Sequence, residues 1–119
     1  MEYEKICDKI LGCDKHIRYV AIYDYGELYD KMRSGITSYF SREETEISLS
    51  QAIYRWSTRK KNISKIGKPI FAMAKYEKVY RVTLPVNGAG LILASIEPEG
   101  NVMEIVEKIL KIQKLHSEN

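Results

Sequence analysis

Apolar positions along this chain switch between two periods, and the switches divide it into eight elements. Residues 2–16 carry Tyr3, Ile6, Cys7, Ile10 and Cys13 at the i, i+3, i+4, i+7 spacing of one buried helical stripe. Gly12 falls near the expected end of this helix, where a left-handed cap costs glycine little. Ile17 to Asp24 is dense in β-branched and aromatic residues and predicts a strand. Tyr25-Gly26 supplies a turn, and Glu27 to Arg33 sets polar residues between Leu28 and Met32. That alternation predicts a hairpin partner with one wet face, as suits the edge of a sheet.

Ser34-Gly35 breaks the pattern, and Ser41-Arg42-Glu43-Glu44 reads as a capping box: the serine oxygen accepts from the Glu44 N–H while the Glu44 side chain reaches back to the cap N–H. The helix that follows is expected to run to about Lys61. Acidic Glu43, Glu44 and Glu46 lie in its first turns and basic Arg59, Lys60 and Lys61 in its last, a polarity that complements the helix dipole. Its apolar stripe is Leu49, Ala52, Ile53, Trp56 and Ile63; Ile47 and Tyr54 lie off that stripe and point to a second buried side.

After Gly67-Lys68-Pro69, three strands are predicted at Ile70–Lys75, Val79–Leu84 and Gly90–Ile96, joined by Tyr76-Glu77-Lys78 and by a turn containing Asn87-Gly88. The run from Leu91 to Ile96 is apolar on both faces, which places that strand in the centre of a sheet. On the preceding strand Arg81 and Thr83 face away from Tyr80, Val82 and Leu84, so its second face is less covered. Asn101 and Glu104 open a last helix with Val102, Ile105, Val106, Ile109 and Ile112 as its stripe, and the tail from about Gln113 is polar and expected to fray.

The order α-β-β-α-β-β-β-α spends nearly all of the 119 residues, predicting one α+β domain over residues 1–119. A net charge of +3 falls short of the concentrated charge of a dedicated nucleic-acid domain. Cys7 and Cys13 lie roughly 9 Å apart along one helix, too far for a disulfide. With no secretory signal pattern and no apolar run near the ~18 residues of a membrane span, the expected setting is the reducing cytoplasm, with no membrane partner.

Candidate chemistry is sparse. His16 and His116 sit at opposite ends of the sequence, without the spacing of a metal site. Asp24 and Asp30 read as turn carboxylates that cap backbone N–H groups. Val86-Asn87-Gly88-Ala89-Gly90 joins two strands and opens no helix, so it is a turn and not a phosphate loop. No nucleophile–base pair, metal cluster or cofactor motif can be assembled by spacing, and the expectation is a protein that is not an enzyme and needs no cofactor.

The succession of an apolar strand from Ile17 to Asp24, the Asp24-Tyr25-Gly26 turn, a returning strand from Glu27 to Met32, a long middle helix, a three-stranded meander and the Val102–Ile112 stripe resembles the roadblock/dynein-light-chain group of profilin-like domains. The resemblance implies a five-stranded antiparallel sheet with the first and last helices on one face and the middle helix on the other. It also implies a homodimer formed through the middle helix and the neighbouring strand, acting as a platform for a small GTPase or a scaffold partner. Two stretches depart from the family pattern: the long connection from Met32 to Ser41, with Tyr39 and Phe40 exposed, and the basic run from Arg55 to Lys68.

Three functional expectations follow. On the first, Ile47, Gln51, Tyr54 and Ile70 form a homodimer face, because Ile47 and Tyr54 are apolar yet off the main stripe. On the second, a small ligand sits between sheet and helix near Tyr19, Tyr23 and Trp56, as in a sensor domain. On the third, Arg55, Arg59, Lys60, Lys61, Lys65 and Lys68 attract an anionic partner such as nucleic acid, against the plainer reading of a solvated helix terminus favoured by the dipole.

Overall fold

The computed structural model describes residues 3–116. Helix α1 (Tyr3–Cys13) leads into the hairpin β1 (Ile17–Asp24) and β2 (Glu27–Met32), then α2 (Arg42–Lys60), a short α3 (Ile63–Ile66), the strands β3 (Ala72–Lys75), β4 (Tyr80–Val86) and β5 (Gly90–Ile96), and α4 (Val102–Leu115). The five strands form one antiparallel sheet in the order β2-β1-β5-β4-β3. β5 lies at the centre, as its two apolar faces require, and β2 lies at an edge.

Strand alternation sorts the core into two layers. Val20, Ile22, Val82, Leu84, Ile92 and Ala94 face α1 and α4, where Ile6, Ile10, Ile105 and Ile109 meet them. Ala21, Leu93 and Leu28 face α2 through Leu49, and Leu91 meets Ala52 and Trp56 further along the same helix. The sheet therefore carries the first and last helices on one face and the middle helix on the other. None of the helices is long and apolar enough to cross a membrane, among the described residues.

Several boundaries differ from the sequence reading. The expected first helix began at Glu2, which lies outside the described residues; of its two expected ends, near Gly12 or on through Lys15, the structure takes the earlier, at Cys13. Gly12 stays helical and does not take the left-handed cap. The stop comes from elsewhere: the Arg33 guanidinium reaches back to the Leu11 and Asp14 carbonyls, while Asp14 accepts from the His16 N–H. Ile63 belongs to α3 and is exposed, so it is not part of the α2 stripe. Among the described residues only one side of α2 is buried, by Thr45, Leu49, Ala52 and Trp56. Strand β3 starts at Ala72, two residues later than expected, and β4 extends through Pro85. Pro85 sits where β3 no longer runs alongside, an open-edge position that tolerates the missing N–H. α4 reaches Leu115 and Gln113 is tied by its amide to the Pro85 carbonyl, while residues 117–119 of the polar tail expected to fray lie outside the described residues.

Candidate interaction surface

The capping box that opens α2 forms as the sequence predicts. Ser41 Oγ accepts from the Glu44 N–H at 3.1 Å and Glu44 Oε1 accepts from the Ser41 N–H at 2.9 Å. Further along, Trp56 is 2% exposed and its indole Nε1 donates to Thr83 Oγ1 at 2.9 Å. The capping box is local to the helix; the ties to the sheet are the Trp56–Thr83 bond near one end and, at the other, Arg42, which donates to Asp30 and to the Leu28 carbonyl of β2. The outer face of α2 is thereby fixed too. On that face Ile47 is 53% and Tyr54 is 76% exposed, with exposed Gln51 between them. Seven residues separate the two apolar side chains, two turns of helix, so they share one stripe.

Beside this face lies the β3 edge. Among the described residues β3 pairs only with β4, and Ala72, Met73 and Ala74 carry no charge along it; Lys75 closes it. The opposite edge, β2, carries Glu27, Asp30 and Lys31. Charged side chains guard an edge strand against pairing with another chain, and the β3 edge lacks that guard over its first three residues. Ile70 is 55% exposed but precedes β3 instead of belonging to it.

The six basic residues of the expected anionic cluster do not form one patch. Arg55 and Arg59 line a cleft between α2 and the β3–β4 pair, together with Arg81. Lys60 donates to the Gly88 carbonyl at 2.6 Å and shares a shallow depression at the β4–β5 turn with Lys68. Lys61 caps the helix and Lys65 lies on α3, both exposed. Arg81 was not a candidate from sequence; the signal was its place on the less covered face of β4.

The space expected to hold a ligand near Tyr19, Tyr23 and Trp56 is occupied by side chains. Tyr19 and Tyr23 pack against Leu49 and Leu93, and Trp56 belongs to a separate cluster with Ala52 and Leu91. The tyrosine hydroxyls reach carboxylates: Tyr19 donates to Asp30 at 2.7 Å and Tyr29 to Glu27 at 2.6 Å. Asp24 is buried and accepts from the Tyr3 hydroxyl. Asp24 and Asp30 thus receive side-chain donors, not the backbone N–H groups expected of turn caps.

The long connection before α2 is held by aromatic rings on cations. Arg18 lies 4.4 Å from the Tyr39 ring centroid, donates to Glu97 at 2.7 Å and to the Thr37 carbonyl at 2.8 Å. Arg81 lies 5.0 Å from the Phe40 centroid. Tyr39 and Phe40 are exposed, as the pattern implies, yet each holds an arginine in place.

No protein-family model matches the chain, and no curated protein matches it significantly. Solved structures do. The Roadblock/LC7 domain from Streptomyces avermitilis superposes with a TM-score of 0.72 at 6% identity, covering 94% of this chain and 92% of its own. MglB of Myxococcus xanthus gives a TM-score of 0.76 at 11% identity, over 96% of this chain and 90% of that one. A LokiProfilin1 solved in complex with rabbit actin gives 0.59 at 15% identity, over 94% and 91%. The similarity is one of backbone architecture over nearly the whole chain, and the fold of this protein is that of a roadblock-like domain within the profilin-like α+β architecture.

Proposed function

We propose that this protein is a non-catalytic interaction module that works as a homodimer, with the outer face of α2 and the β3 edge as its self-association surface. The observation that carries this reading is the pair Ile47 and Tyr54, exposed on a helix face that adjoins the unguarded β3 edge. Exposed apolar groups placed together mark contact surfaces more often than scattered ones do.

Charge supports the same geometry. The first turns of α2 are acidic and its last turns basic. Two such helices crossing antiparallel near Gln51 place Glu43 of one copy against Arg59 of the other, and the twofold repeats that pair. A parallel crossing sets like charges together. The partner that the dimer then presents itself to is a protein, a small GTPase or a scaffold. Support for this lies in the shared fold with MglB and MglC of Myxococcus xanthus and in an MglB structure described as a tetrameric arrangement.

Light scattering over a concentration series tests the dimer: twice 13.8 kDa is expected. Burying one large apolar side chain contributes about 1.5–3 kcal/mol, and a twofold interface counts each substitution twice. Tyr54→Glu is therefore expected to weaken association at least a hundredfold. Wild-type protein that stays monomeric at every concentration, or a Tyr54→Glu dimer of unchanged affinity, refutes this surface.

A further inference from the structure

We infer that the cleft between α2 and the β3–β4 pair is a binding site for a phosphate-type oxyanion, free or as a small monoester, held by Arg55, Arg59 and Arg81. The cleft is a cavity of about 120 Å³, enough for one tetrahedral oxyanion with part of its hydration. Three arginines line it together with the hydroxyl residues Ser48 and Thr83, and no Asp or Glu is in its wall among the described residues.

Arg81 is the decisive residue. It is half-buried, and burial pushes its pKa down; Tyr76, hydrogen-bonded to it, and Tyr19 work the other way, and the nearby Arg55 charge adds a smaller push down. The other well-anchored arginines of this chain are compensated: Arg18 by Glu97, Arg42 by Asp30, and Arg33 by three backbone carbonyls. Arg81 has no ion pair among the described residues. Its anchors are Ser48 Oγ at 3.1 Å and the Phe40 ring, with Tyr76 close by. Those contacts orient the guanidinium without neutralising it. Arg55 is likewise without an ion pair among the described residues, and Arg59 lies over the Trp56 ring at 5.4 Å. Arg55 and Arg59 are exposed, so the desolvation cost falls on the half-buried Arg81, and an anion in the cleft offsets it. Three arginines lining one cleft suit the oxygens of a phosphate, because a planar guanidinium can donate two parallel N–H bonds where a lysine is only a point charge.

Trp56 supplies the readout. Its indole is bonded to Thr83, which lines the cavity, and its ring lies under Arg59, so an anion that draws Arg59 inward alters its emission. Inorganic phosphate and ribose 5-phosphate are titrated separately against chloride at constant ionic strength, by Trp56 fluorescence and by calorimetry. Saturable binding of either supports the site. Tighter binding of ribose 5-phosphate assigns it to a monoester, and equal or tighter binding of phosphate assigns it to the free ion. Arg81→Met is expected to weaken binding roughly tenfold to a hundredfold, the worth of a charge-assisted bond. Arg55→Met, at an exposed position, repeats the test should Arg81→Met fail to fold. Lys111→Ala on α4 is expected to leave affinity within about twofold. Absence of a saturable response in both the wild type and Tyr54→Glu overturns the site, as does equal weakening by Lys111→Ala and Arg55→Met. A response in Tyr54→Glu alone supports it and shows that a second copy covers the same arginines.

Discussion

Arg33 is the side chain whose removal should do most damage outside the apolar core. Helix α1 has no basic residue in its last turn, so nothing on the helix itself complements its exposed carbonyls. Arg33, just past the end of β2, supplies the missing charge through space. Its Nη2 donates to the Leu11 carbonyl at 2.6 Å and the Asp14 carbonyl at 2.9 Å, and its Nε donates to the Ile17 carbonyl at 2.7 Å. One half-buried guanidinium thus ties the end of α1 to the start of β1 and the end of β2. A hydrogen bond to a charged group contributes about 1.5–3 kcal/mol, and a cation at a helix C-terminus about 0.3–1 kcal/mol. Water replaces part of this once the side chain is gone, so Arg33→Met is expected to cost about 2–3 kcal/mol. At about 2.1 cal/mol/K for each of 119 residues, that loss lowers Tm by roughly 8–12 °C. Thermal unfolding by circular dichroism measures it. Arg33→Lys keeps the charge but not the fork, and should recover less than half. Lys31→Ala, which loses only an exposed pair with Asp8, serves as the control and should stay within about 0.5 kcal/mol of wild type. A Tm shift under about 2 °C for Arg33→Met, or full recovery by lysine, refutes the through-space cap.

Two further predictions concern titratable groups. Burial, with Asp30, Asp8 and Glu4 nearby, pushes the Cys7 thiol up to about 12, and burial with Asp14 raises Cys13. Near pH 8 a thiol reagent should leave Cys7 unmodified in the native protein and label both cysteines in denaturant; rapid native labelling of Cys7 by mass spectrometry contradicts this packing. Burial works to raise the Asp14 carboxyl, but hydrogen bonds from the His16 N–H, the His16 ring and Lys108 outweigh it and bring the pKa down from 3.8 to about 2. A lowered folded-state value stabilises the protein above the ordinary pKa, and that stability is lost as pH falls towards the folded one. Asp14→Asn should therefore lose less stability than wild type between about pH 4 and pH 2. Parallel acid-unfolding curves for the two proteins refute the assignment.

The element order was legible because the hydrophobic period changes sharply at Ile17, Ser41, Gly67 and Asn101. The capping box was legible because both of its bonds are local, and the central place of β5 because both of its faces are apolar. Features made by distant residues were not. Gly12 offered a local reason for α1 to end, but the carbonyls there are served by Arg33, some twenty positions away. Ile63 continued the α2 period on paper, yet the chain turns after Lys61 and the four residues of α3 leave it exposed. The basic run from Arg55 to Lys68 reads as one cluster only along the sequence. In space a helix surface, a cap and a short helix send its members in different directions, and two of them meet Arg81 of β4.

The narrowness of the buried stripe on α2 links these features. Thr45, Leu49, Ala52 and Trp56 bury one residue per turn, so most of the helix circumference is left outside the core. A helix held by so thin a seam needs tied ends: the Trp56–Thr83 bond lies about a turn from its C-terminal end, while the capping box at Ser41 closes the first turn within the helix itself. Arg42 ties the N-terminal end to β2, donating to Asp30 at 3.0 Å and to the Leu28 carbonyl at 2.8 Å. Anchors of this kind lower the entropy that a partner must remove when it docks on the outer face. Because Trp56 lies on the seam and under Arg59, the same anchor that steadies the outer face also sets one wall of the arginine cleft. A change in the seating of α2 on the sheet therefore moves both surfaces together.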